Sequence, residues 1–252
     1  MKTGLEGMSA EATRTLRIGV GMAVVLATAC ASAGQVRPAG EPGSAAARRD
    51  PGQLAEVRAA ALEAAERTRP AHPTRLDFRW RAREPDFRDS GFGVARIEPP
   101  YRARLDLFLD NGETAAIAAL VDDELRIPAS LPTELVPPAP LLWAVLGVFR
   151  PGGGAEMLQG SVDRSTTEVE YRLPSGRRVR FLLRDGALLD AELLERGSTV
   201  QRVFVSGSGG ELAFPAEATY RNLADYRELE LRLESVEHVD SFPRDIWTPR
   251  GP

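Results

Sequence analysis

The chain has 252 residues, 43% hydrophobic and 27% charged, an ordinary composition for one large globular domain or two small ones. Its 32 basic and 36 acidic residues leave a net charge of −4, which argues against nucleic acid as a partner because such binders carry a basic excess. One cysteine excludes an internal disulfide framework and any multi-cysteine metal site, and two histidines, His72 and His238, argue against a histidine-rich centre or triad.

Residues 18–29 form an apolar run that follows Arg14 and Arg17 and ends in small residues before Cys30. A basic start, a short apolar stretch and a small-residue cleavage site describe a secretory signal. The run is too short for a membrane-spanning helix, which needs about 20 apolar residues. Met8 is a second candidate start, since Glu6 fits a signal poorly. Ala27-Thr28-Ala29-Cys30 resembles the lipobox of bacterial lipoproteins, with alanine at position 27 where a larger aliphatic residue is usual. The resemblance implies that Cys30 is acylated and becomes the mature N-terminus. Several acyl chains on one residue would anchor the protein stably to a membrane. Removal of residues 1–29 leaves 223 residues with a net charge of −5. Ala31 stands where aspartate resembles an inner-membrane retention signal, and so favours the outer membrane.

Residues 31–52 are rich in Ala, Gly, Pro and Ser and read as a flexible tether, too poor in apolar surface to order itself. The expected organisation is thus signal peptide 1–29, lipidated cysteine and tether 30–52, and one folded domain 53–252. Asp50-Pro51 provides a helix start. Between Gln53 and Arg69, Leu54, Val57, Ala61, Leu62 and Ala65 are expected on one face of an amphipathic helix that ends before Pro70.

Beyond it the period changes to two. Leu76, Phe78, Trp80 and Ala82 alternate with charged residues, and Tyr101 to Leu109, Val169 to Leu173, Val179 to Leu183 and Leu229 to Leu233 alternate with charged residues apart from Phe108 and Leu182. That is the pattern of antiparallel strands with one apolar and one wet face. Turns are expected at Asn111-Gly112, Ser175-Gly176, Asp185-Gly186, Gly197-Ser198 and Gly207 to Gly210. About ten strands at this spacing suggest a barrel or sandwich. Between Leu131 and Pro140 four prolines lead into Leu141 to Phe149, a short helix apolar nearly all round, which needs cover on most sides.

No catalytic constellation is present: there is no G-x-S-x-G, S-x-x-K, H-E-x-x-H or Walker sequence. Gly91-Phe92-Gly93 lacks a third glycine and lies in a strand pattern, Asp122-Asp123 reads as a turn, and both histidines read as structural. The alternating arginines suggest cross-strand ion pairs. What remains is apolar surface: Phe78, Trp80, Leu105, Leu107, Phe181 and Leu183 on strands, with Leu142, Trp143 and Leu146 on the internal helix. These line either a closed core or the inner face of a curved sheet that holds a lipid or acyl chain.

Gly91 to Ile97 with Pro99-Pro100, Arg102 to Leu107, the Leu141 to Gly147 helix and the closing Phe242 to Trp247 together resemble the LolA/LolB-type lipoprotein carriers over most of residues 53–248. The resemblance implies a mainly β (α+β) fold, an unclosed antiparallel half-barrel with the two helices covering its concave face. It implies non-covalent work without catalysis or cofactor: holding acyl chains of a lipid or lipoprotein, with a periplasmic carrier protein as a further partner. Lipidation at Cys30 matches the membrane-anchored receptor of that family. The receptor's protruding apolar hairpin residue has no counterpart in Asp110-Asn111-Gly112-Glu113, which is polar, so generic lipid binding is expected rather than receptor-type insertion. The alternative is a non-catalytic envelope lipoprotein that uses the same fold to bind a protein partner.

Overall fold

A computed structural model describes residues 51–250 except 87, 132, 134 and 208–213. The expected signal peptide, Cys30 and most of the tether lie outside the described residues, as does part of the Gly207 to Gly210 turn. The chain enters through helix α1 (Pro51–Thr68) and then forms strands β1 (Thr74–Arg83), β2 (Arg88–Glu98), β3 (Arg102–Leu109), β4 (Thr114–Val121) and β5 (Glu124–Arg126). Helix α2 (Ala139–Val145) follows, and then β6 (Glu156–Asp163), β7 (Thr166–Arg172), β8 (Arg178–Arg184), β9 (Ala187–Glu195), β10 (Ser198–Ser206), β11 (Glu217–Asn222) and β12 (Arg227–His238).

All twelve strands belong to one antiparallel sheet in the order β5-β4-β3-β2-β1-β12-β11-β10-β9-β8-β7-β6. Sheet neighbours are consecutive in sequence except β1 and β12, which join two meanders. The sheet is not closed, because β5 and β6 are its free edges. Residues 127–155, with α2 among them, carry the chain from one edge to the other. That route lays α2 across the concavity. One apolar cluster then runs from Leu105 and Leu120 through α2 to Phe181 and Leu193, so the sheet curves around the helix. The fold is an open, mostly β half-barrel.

Twelve strands exceed the ten expected, and β4 and β5 show why the pattern hid some. Five successive residues of β4, Ala116 to Leu120, are buried, so it has no wet face to alternate. Ala116, Ala118 and Leu120 join the inner cluster, whereas Ile117 and Ala119 do not. On the outside, a 3₁₀ turn at Arg244–Trp247 packs over β3 and β4. Strand β5 is only three residues long.

The expected tight turns occur with the backbone they require. Gly112, Gly176, Gly186 and Gly197 all have positive φ, between 75° and 90°. The arginine-rich outer face is less wet than expected. Asp106, Glu170 and Asp190 are buried there under arginines. Arg104 Nη2 lies 2.7 Å from Asp106 Oδ1, Arg178 Nη1 lies 2.7 Å from Glu170 Oε1, and Arg202 Nε donates to Asp190 Oδ2 at 2.8 Å. Burial pushes the Asp190 carboxyl above its ordinary value, against the opposing pull of Arg202.

The face of α1 differs from expectation. Val57, Ala61, Ala64 and Thr68 are buried, Leu54 and Ala65 are half-buried, and Leu62 is 64% exposed. Steps of four, three and four residues keep 57, 61, 64 and 68 on one stripe, and position 62 lies about 100° off it.

Candidate functional site

Helix α2 is apolar because it is buried on every side. Leu141, Leu142, Trp143, Ala144, Val145 and Leu146 are each at most 4% exposed. Proline at its first turn lacks the N–H that would go unpaired there. Gly147, at φ 76°, ends it: Gly147 N donates to the Ala144 carbonyl and Val148 N to that of Trp143, each at 2.9 Å. The β4–β5 turn clamps the helix and its exit. Trp143 Nε1 donates to the Asp122 carbonyl at 3.2 Å, and Asp123 Oδ1 accepts from Arg150 Nε at 2.9 Å. The Arg150 guanidinium lies 3.7 Å from the centre of the Tyr101 ring, itself edge-on to Trp143. Helix α2 is a fixed plug.

Helix α1 is held more lightly. Val57 Cγ1 comes to 2.6 Å of where a Cβ on Gly160 would stand, so glycine in β6 allows the approach. At the other end Phe149 N donates to Thr68 Oγ1 at 2.9 Å, and Arg67 Nη1 donates to the Asp185 carbonyl at 2.7 Å. The Phe149 ring stands edge-on to Phe181 at 4.8 Å. Burial of Val57 contributes about 1.5–3 kcal/mol and each alanine methyl about 0.8 kcal/mol. The six buried side chains from Leu141 to Leu146 include three leucines and a tryptophan. Of the two covers, α1 buries the smaller side chains.

The wall beneath is shaped by Gly91 and Gly93, the pair whose spacing carries no dinucleotide site. A Cβ at Gly93 would run into the Phe78 ring, and one at Gly91 into the Phe108 carbonyl oxygen. The Phe78 ring of β1 therefore lies close on β2. Trp80 Nε1 donates to the carbonyls of Phe92 and Phe108 at 3.1 and 3.0 Å, which satisfies the indole inside an apolar wall.

All nine residues expected to line the site lie in one buried cluster on the concave side: Phe78, Trp80, Leu105, Leu107, Leu142, Trp143, Leu146, Phe181 and Leu183. Of these, Phe78 and Leu146 border open space. They line a small void of about 30 Å³ with Leu76, Val145, Phe214, Pro215, Ala218, Leu231 and Leu233. A second void of about 140 Å³ lies between the C-terminal ends of the two helices, lined by Arg67, Thr68, Gly147, Ala187, Leu188, Val205, Gly207, Phe214 and Pro215. Phe214 and Pro215 form the wall common to both. They escape sequence reading because they follow a glycine-rich stretch and belong to no periodic run. Leu229 and Leu231 of β12 were visible in the alternation.

The linings are apolar apart from Arg67 and Thr68. Burial pushes the Tyr171 hydroxyl up to about 12 against the pull of Arg58, and burial aided by Asp225 pushes Tyr220 up to about 12. Such an environment accommodates hydrocarbon and offers little to an ion. A void of about 140 Å³ holds roughly one benzene-sized group, whereas pockets for larger ligands span about 300–1,000 Å³. Neither of these two voids has the volume of a long acyl chain.

Neither a protein-family model nor a curated protein sequence matches the chain. Solved structures do. A LolA superfamily protein from Nitrosomonas europaea superposes with a TM-score of 0.56 at 10% identity, over 77% of this chain and 97% of that one. A DUF1329 family protein from Desulfovibrio piger superposes with a TM-score of 0.52 at 8% identity, over 76% of this chain and 96% of that one. The chain has a LolA/LolB-type fold, as its helix and strand order led one to expect.

Proposed function

We propose that this chain is a membrane-anchored lipoprotein of the bacterial envelope that binds acyl chains of a lipid or lipoprotein against the concave face of its half-barrel. Helix α1 is the cover that lifts, and α2 is the fixed apolar floor. One observation carries the reading: the β6, β7 and β9 part of the apolar wall is roofed by a helix whose buried contribution is chiefly Val57, Ala61 and Ala64. A permanent core would gain more from large side chains at those positions. The voids beside Phe214 and Pro215 mark where a chain would enter, and Phe78, Trp80, Leu105, Leu107, Leu142, Trp143, Leu146, Phe181 and Leu183 would receive it. The anchor rests on Cys30 and the lipobox-like Ala27-Thr28-Ala29. With the tether it would hold the domain at a membrane, the outer one by the identity of Ala31, within reach of a periplasmic carrier protein.

The test is titration of a fluorescent C16 fatty acid into the full chain carrying Cys30→Ser, which removes the acyl anchor. One saturable site, competed by phospholipid and weakened at least tenfold by Leu146→Arg in a folded protein, is expected. A folded protein with no saturable binding would overturn the reading and favour a protein partner on the same fold.

A further inference from the structure

The two histidines of the chain stand 166 positions apart in sequence, and the fold sets their rings edge-on with centres 5.5 Å apart and planes at 78°. We infer that His72 and His238 form a two-imidazole site for a divalent late transition metal such as copper, nickel or zinc. The inference stands apart from the lipid-binding reading and uses none of its residues.

Three features carry it. The first is distance. Two imidazoles sharing one metal at about 2.1 Å have ring centres roughly 5–6 Å apart. The second is orientation. Thr74 is paired across the β1–β12 ladder with His238, and its hydroxyl donates to the His72 carbonyl at 3.0 Å. The same hydroxyl lies 3.2 Å from His238 Nδ1. That contact occupies the Nδ1 side of His238 and leaves Nε2 as its nitrogen for a ligand. A partner on the other ring nitrogen is the arrangement that orients metal-binding histidines. The third is access with rigidity. Both rings are exposed, Pro70 and Pro73 flank His72, and Val239 N donates to the Pro73 carbonyl at 3.0 Å, which holds the two segments together.

Among the described residues no group of three or more His, Cys, Asp or Glu stands ready to hold a metal. The site therefore offers two protein nitrogens and leaves the remaining positions to water or to a donor from another molecule. Imidazole pairs favour copper over nickel and zinc. A bound ion would bridge the start of β1 and the end of β12, the seam where the two meanders meet.

The experiment is titration of copper(II) into the full chain without an affinity tag and with Cys30→Ser, followed by calorimetry and electron paramagnetic resonance. One ion per chain is expected, with hyperfine structure from two nitrogens. His72→Ala and His238→Ala should each weaken binding at least tenfold, with far-UV circular dichroism unchanged. Thr74→Val should weaken it less than either. Binding indifferent to one of the two histidines, a one-nitrogen signal, or no binding at millimolar copper would overturn the inference.

Discussion

Thr68 and Phe149 join the two helices over the concave face. The Phe149 amide donates to the Thr68 hydroxyl at 2.9 Å, and that hydroxyl donates to the Ala64 carbonyl at 2.9 Å. Thr68 is buried, so the pair is the internal pin at the C-terminal end of α1. Thr68→Val keeps the shape and removes the acceptor. The unpaired amide should cost about 1–3 kcal/mol in denaturant unfolding. Thr68→Ser should restore most of that stability. Hydrogen exchange should report faster opening of α1 in Thr68→Val while β8 and β9 stay protected.

The glycines of β2 are steric requirements. Gly93→Ala should destabilise by about 1–3 kcal/mol through overpacking against Phe78. Phe78→Val in the same chain should recover part of that loss, because the two positions touch. Gly91→Ala meets backbone and should find no such rescue. Thermal melts of the three variants distinguish these outcomes.

Asp106 ties the outer face together. Arg96 and Arg104 both pair with it, Arg104 Nη1 also donates to the Ile246 carbonyl at 2.9 Å, and Arg126 Nη1 donates to that of Trp247 at 3.2 Å. Asp106→Leu strands two arginines, and removal of one partner from a buried pair costs about 3–5 kcal/mol. The part-exposed arginines place the loss at the lower end. The C-terminal segment should also detach, so trypsin should cut at Arg244 sooner than in the parent chain.

High pH should expose the buried tyrosines. In the unfolded chain a tyrosine ionises near pH 10, whereas Tyr171 and Tyr220 hold their protons up to about 12 when folded. Their contribution is complete below pH 10 and is lost as pH rises from 10 to 12. With residual solvent contact allowed for, the loss is about 1–2 kcal/mol for each. Lys2 is the only lysine, so few other groups titrate in that window. Tyr171→Phe and Tyr220→Phe should flatten stability against pH there.

Much of this architecture was legible because its causes are local. Period-two runs such as Leu76 to Ala82 and Leu229 to Leu233 announced strands, and Asn111-Gly112 and Asp185-Gly186 announced turns with left-handed backbone. The internal helix was legible because nothing polar interrupts Leu141 to Phe149. What escaped depends on contacts distant in sequence. Buried on both faces, β4 has no alternation to read. The stripe on α1 runs through Ala64, so Leu62, the more hydrophobic neighbour, pointed to the wrong face. His72 and His238 read as unrelated loop and strand-end residues, because their meeting requires β1 to pair with β12. The wall at Phe214 and Pro215 left no periodic trace.

The most direct measurement is native mass spectrometry of the full chain extracted gently from membranes, beside Phe181→Arg prepared in the same way. The expected result is one acyl-bearing lipid per parent chain, beyond any acylation of Cys30, absent from a folded Phe181→Arg variant. A parent chain free of bound lipid that also takes up none from added phospholipid would contradict acyl-chain binding in the half-barrel.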